Sequence, residues 1–165
     1  MGSCHHLVRA LILSRLDYAN SLMLGISAKD RNQLQKLQNR AARIVFRAER
    51  RHPSAPLLRT LHWLPVDQRI KFKVLLCVYK ATNGLAPPYI NELIMQYASD
   101  SDRYNLRSSD DTLLLHNPRT SKRYGDMSFH ADAPRLWNSL PFNIRNSTSV
   151  MVFRKQLKTY LFLSA

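Results

Sequence analysis

The sequence predicts a mainly α protein, a helical bundle with a small β-hairpin or irregular segment in its C-terminal third. Three observations lead there. Apolar residues recur at helical spacing through several long windows. Only 4 glycines occur in 165 residues. Serine, proline and glycine fall between the windows, where helices start and stop. The hydrophobic fraction of 45% is that of a globular chain, and the length suits one domain or two small subdomains. The expected organisation is a basic helical hairpin over 1–51, a helical subdomain over 52–99, a polar linker over 100–111, and a short hairpin plus helices over 112–165.

The first helix is expected over 5–24, with Leu7, Leu11, Tyr18 and Leu22 at near-helical spacing and Gly25 as its stop. Ser27 caps a second helix, and Asp30 favours the positive end of its dipole. This helix is expected to run to Arg51, before Pro53. At about 100° per residue, Lys36, Arg40, Arg43, Arg47 and Arg50 share one stripe, while Leu34, Leu37, Ala41, Ile44, Val45 and Ala48 fall on the opposite face. A short helix over 57–61 follows. His62-Trp63-Leu64-Pro65 makes an apolar corner before a helix that starts at Pro65 or Val66 and is ended by Asn83-Gly84, with Ile70, Val74, Cys77, Val78 and Ala81 inward and Arg69, Lys71, Lys73 and Lys80 mostly outward. Pro87-Pro88 opens a shorter helix through Ile94 and Tyr97. Residues 112–116 and 120–124 are candidate strands joined by Asn117-Pro118. A short helix over 133–140 holds Trp137, and Ser147 or Ser149 caps a last helix with Phe153, Leu157, Tyr160 and Leu161 inward and Arg154, Lys155 and Lys158 outward.

Charge speaks to partners. Lysine and arginine total 25 against 11 acids, a formal net charge of +14. Such a surplus opposes compaction, and a polyanion relieves it. Within 36–51 only Glu49 interrupts the cationic series, whereas an ordinary solvated face mixes signs. Arg51, and a second patch of Arg119, Lys122 and Arg123, extend the candidate surface. Tyr104 and Tyr124 stand beside arginines and are candidates for stacking on unpaired bases, whereas Trp63 and Trp137 lie in apolar runs and read as core.

Little points to catalysis. A two-metal polymerase site needs carboxylates on neighbouring strands, and the adjacent pair Asp110-Asp111 has no apolar strand before it. Cys4, His5 and His6 lack further ligands at zinc spacing, and His62, His116 and His130 have no nucleophile partner. No phosphate-binding glycine loop and no serine elbow occurs. The expectation is a non-enzyme without cofactor, metal or small-molecule substrate. No signal peptide or membrane span is expected, and two distant cysteines, Cys4 and Cys77, fit a reducing compartment, nuclear or in a cytoplasmic ribonucleoprotein.

Four segments together carry a resemblance. They are Ser14-Arg15-Leu16-Asp17-Tyr18-Ala19-Asn20-Ser21-Leu22; Leu34-Gln35-Lys36-Leu37-Gln38-Asn39-Arg40-Ala41-Ala42-Arg43; Leu61-His62-Trp63-Leu64-Pro65-Val66 with Arg69-Ile70, Tyr79-Lys80-Ala81, Gly84-Leu85-Ala86-Pro87 and Tyr89; and Ala133-Pro134-Arg135-Leu136-Trp137-Asn138-Ser139-Leu140-Pro141 with Ile144-Arg145 and Phe153-Arg154-Lys155-Gln156-Leu157-Lys158. In this order they resemble the region after the polymerase palm in jockey-like LINE-type (non-LTR) retrotransposon reverse transcriptases. The family often has cysteine where Ala19 stands. The resemblance implies a parent RNA-directed DNA polymerase whose endonuclease and palm are absent here. Residues 7–51 correspond to a thumb, which grips template and primer, and the remainder to a C-terminal domain that binds RNA or DNA. A frame opening at Met1 is then expected to be a truncated copy of such an element. The partners expected are RNA, DNA or both, and the polymerase core of a parent element. The alternatives are a helical protein-interaction module and a functionless relic of a mobile element. A cryptic nuclease or polymerase working through Asp110 and Asp111 ranks last.

Overall fold

Every regular element among the described residues is helical, and no strand occurs among them. The computed structural model describes residues 2–94, 113–118, 125 and 128–164. The chain divides into two compact units, Met1–Ile70 with Leu161–Ala165, and Lys71–Tyr160.

The first unit opens with α1 (Gly2–Val8), a π-helical turn (Arg9–Leu13) and α2 (Ser14–Asp17) in one run. The Ser14 N–H bonds to the Arg9 carbonyl, five residues back, while the Ser14 hydroxyl donates to the Ala10 carbonyl that the backbone has left. The widened turn shifts the register, and Val8, Leu13 and Leu16 become the buried set. The expected helix over 5–24 is therefore corrected. It ends at Asp17, Tyr18 is extended and Ala19 is left-handed at φ 48°, ahead of a 3-10 turn (Asn20–Met23). Leu7, Leu11, Tyr18 and Leu22 are exposed. Two apolar series compete in this segment, and the wide turn selects the one holding Val8 and Leu13, five apart.

Helix α3 (Ala28–Phe46) starts where Ser27 accepts from the Asp30 N–H at 3.1 Å, as its sequence predicts. It packs on α1 and on α4 (Ser54–Thr60). Its buried face is Gln38, Ala41, Ala42 and Val45. Alanines there let the backbones approach, and they share a core with Val8, Leu13, Leu16, Leu57, Leu58 and Trp63. Gln38 is 0% exposed. Its Nε2 donates to the Leu64 carbonyl at 2.8 Å and its Oε1 accepts from Gln35 Nε2 at 3.2 Å. Gln35 Oε1 in turn accepts from the Val66 N–H at 2.8 Å, the first donor of α5 (Val66–Thr82). Arg31 pairs with Asp67 at 2.9 Å. Arg69, expected outward, grips Asp17 through Nε and Nη2 at 3.0 and 2.9 Å.

In the second unit α5 closes at Gly84, left-handed at φ 68°, with the Leu85 N–H on the Lys80 carbonyl at 2.7 Å. The unit also holds α6 (Pro88–Asn91), α7 (Phe129–Asn138), α8 (Phe142–Arg145) and most of α9 (Val150–Leu163). Tyr79 stacks on Phe153 at 4.2 Å between centroids, and Trp137 lies 5.9 Å from Phe153. Burial pushes the Tyr79 phenol up, so its hydroxyl stays protonated and donates to the Ser147 carbonyl at 2.8 Å. Ser149 accepts from the Val152 N–H at 3.3 Å, as expected of the last helix, whose Phe153, Leu157 and Leu161 are buried.

The predicted hairpin is corrected. Residues 113–118 form no strand. Leu115 makes a single β-bridge, and side chains of α7 bond the backbone of Leu113 and Leu115. Trp137 Nε1 donates to the Leu113 carbonyl at 2.7 Å, and the Asn138 amide both accepts from the Leu115 N–H and donates to its carbonyl, at 2.9 and 2.8 Å. The second candidate strand over 120–124, the linker over 100–111 and Tyr97 lie outside the described residues. Helix α7 begins at Phe129, four residues before the expected 133.

Two outcomes follow. Gln38→Ala leaves the Leu64 carbonyl unpaired in the core and is expected to cost about 1–3 kcal/mol, read as a lower midpoint in denaturant unfolding. Burial raises the Asp132 carboxyl above the usual carboxylate range by more than Arg135 and Lys71 lower it. The folded chain thus holds this proton more tightly than the unfolded chain does. The group's stabilisation is complete below its unfolded value of about 3.9 and is lost as pH rises through the higher folded value. Asp132→Asn is therefore expected to raise the thermal midpoint near neutral pH, the gain vanishing in acid; a variant less stable than wild type at neutral pH contradicts this.

Candidate functional site

The C-terminal end of α3 is where the basic residues gather. The expected helix to Arg51 is corrected, because α3 ends at Phe46 and Arg47 turns into the left-handed region at φ 52°. The Arg47 N–H bonds to the Ile44 carbonyl at 3.2 Å and the Ala48 N–H to the Arg43 carbonyl at 2.9 Å. These are the two bonds of a Schellman closure, whose left-handed position is usually glycine. Arg43 Nε then donates to the His52 carbonyl at 2.9 Å, tying the returning loop to the helix.

This folded corner replaces the straight stripe. Arg40 and Arg43 on α3, Arg47 at the corner and Arg50 in the loop line one open depression of about 480 Å³ with Ile44 and Ala48. Lys36 and Arg51 are exposed but do not line it. Arg119, Lys122 and Arg123 lie outside the described residues, as do Tyr104, Tyr124 and Asp110-Asp111.

Sequence reading missed the floor. Ile44 was assigned to the buried face, yet it is 55% exposed, and Leu37 is 44% exposed. Around a helix Ile44 lies about 40° from Arg40 and about 100° from Val45, so the border position was available in the periodicity. Ala48 follows the corner and leaves the helix altogether.

No carboxylate lines the depression among the described residues. The ion pairs of this unit, Arg31 with Asp67 and Arg69 with Asp17, involve none of its arginines. Four guanidinium cations that line one depression repel one another. An oxyanion relieves that repulsion, and the planar fork of each guanidinium matches a phosphate bidentately.

The other candidate residues contact neighbours within their own units. Cys4 Sγ lies 3.9 Å from the Ile44 carbonyl, and the His5 ring stacks on Trp63 at 6.0 Å. His62, left-handed at φ 53°, lies 6.3 Å from the Phe162 ring. His130 Nδ1 lies 2.8 Å from the Leu93 carbonyl. Trp63 and Trp137 are buried, as expected of core residues. Among the described residues no group of three side chains is placed to hold a metal, and no helix is long and apolar enough to cross a membrane. No protein-family model, curated protein or solved structure matches this chain.

Arg47 occupies a conformation that costs a non-glycine residue roughly 1–2 kcal/mol. Arg47→Gly is expected to raise the unfolding midpoint while eluting earlier from a heparin column. A variant no more stable than wild type, or equally retained, would show that the corner carries neither the strain nor the charge assigned to it.

Proposed function

We propose that this chain is a non-catalytic, C-terminal part of a LINE-type retrotransposon reverse transcriptase, and that it holds the phosphate backbone of RNA or DNA at the arginine depression. The observation that carries the binding role is the convergence of Arg40, Arg43, Arg47 and Arg50 on one open surface with no acidic side chain lining it. The family assignment rests on the sequence resemblance. Three of the four resembling segments meet in the first unit, with Asp17 on Arg69, and Gln35 and Gln38 on the backbone of Val66 and Leu64. The phosphate contacts position nucleic acid without reading bases.

A second reading has its own observation. Leu7, Leu11, Tyr18 and Leu22 are each exposed on the first unit, and apolar side chains left in water are available to a protein partner. In that case the unit is an interaction module whose basic corner faces an acidic partner.

Fluorescence anisotropy against a structured RNA and a DNA duplex over a salt series separates the two. The comparison is wild type with Lys36, Arg40 and Arg50 changed to Gln, which spares the Arg43 bond to His52. Submicromolar binding is expected, with a steep salt slope that falls by roughly 0.7–0.9 for each phosphate contact removed. An unchanged slope in a folded variant removes the site. Loss of nucleic-acid binding to an acidic peptide at low concentration transfers the corner to the second reading.

A further inference from the structure

We infer that the arginine depression receives one unpaired nucleotide of a single strand, its base lying against Ile44 and Ala48 and its flanking phosphates held by the arginines. The inference rests on the nucleic-acid reading above and specifies the form of the ligand. Its starting point is the floor. A surface that only follows a duplex backbone meets phosphates and sugars, and an apolar side chain among its arginines gains nothing from them. Ile44 is more than half exposed and lines the same depression as four cations, and covering it with an apolar face is favourable in proportion to the area removed from water. In a duplex both faces of each base are already stacked on neighbours. An unpaired base offers a free face, and arginine planes stack on bases as well as bond to phosphates.

The path of the chain agrees. Had α3 continued, Arg40, Arg43, Arg47 and Arg50 would form a line along its axis, suited to a straight run of phosphates. The left-handed turn at Arg47 and the Arg43 bond to His52 bring the chain back, and the four arginines line one open depression with Ile44 and Ala48.

The test uses the full chain and three labelled probes of about twelve nucleotides, a length suited to one binding unit. They are oligothymidylate, an abasic strand with the same sugar–phosphate chain, and a blunt duplex. Oligothymidylate is expected to bind several-fold more tightly than the abasic strand, the effect of covering the exposed Ile44 side chain, and more tightly than the duplex. Ile44→Ser is expected to bring the oligothymidylate-to-abasic ratio towards one without changing the salt slope. Ile44→Phe, which enlarges the floor at an exposed position, is expected to increase the ratio. Arg40→Gln should weaken both strands alike. Equal binding of the two strands by wild type, or preference for the duplex, overturns the inference and leaves backbone binding standing. Absence of binding to all three probes overturns the inference, and absence of binding to the structured RNA as well overturns the nucleic-acid reading itself.

Discussion

The first unit depends on a pair of glutamines inside α3. Gln38 is fully buried and spends its amide on the Leu64 carbonyl, while Gln35 takes the Val66 N–H. The corner between them contains Pro65, which has no N–H of its own, and a helix start has donors that no earlier turn can satisfy. One polar ladder on α3 answers both needs. A buried polar group without partners costs more than an apolar one, so the register of α3 against this corner is set by hydrogen bonding, and the small side chains of Ala41 and Ala42 allow the close approach. Further contacts converge on the same turn, with Arg31 on Asp67 and Asp17 on Arg69.

That fixed register positions the opposite side of α3. With Gln38, Ala41, Ala42 and Val45 committed inward, Arg40 and Arg43 have to point outward, and Ile44 falls at the border. The mutual repulsion of the arginines acts on a helix held from behind. The closing turn at Arg47 is stabilised by its backbone bonds and by Arg43 reaching His52. One of the cluster's cations is thus also a structural tie, so charge removal and corner geometry are coupled at Arg43 and separable at Arg40 and Arg50.

Much of this was legible beforehand. The cap at Ser27, the inward set of α9, the stop at Gly84 and the core roles of Trp63 and Trp137 follow from local chemistry that the sequence states directly. The failures share a cause, since each lies where a side chain replaces an expected backbone partner or where a residue adopts an uncharacteristic conformation. A π-helical turn before Ser14 shifts the register of the first helix. Arg47 ends a helix in glycine's usual place, so the periodic arginines ran on in sequence after the helix had stopped. Asn138 and Trp137 bond the backbone of Leu113 and Leu115, where no strand forms. The gathering of arginines was readable from their spacing, but the cup they make was not, because it depends on that one turn.

The engagement of Leu113 and Leu115 by α7 has a further consequence. In an extended segment, alternate residues offer their N–H and C=O groups to the same edge. The Leu113 carbonyl and both backbone groups of Leu115 are taken by Trp137 and Asn138. An open row of such groups is a template on which another chain adds a strand and begins to aggregate. Here an indole and a carboxamide occupy three of those groups, which leaves fewer of them open to a strand from another chain.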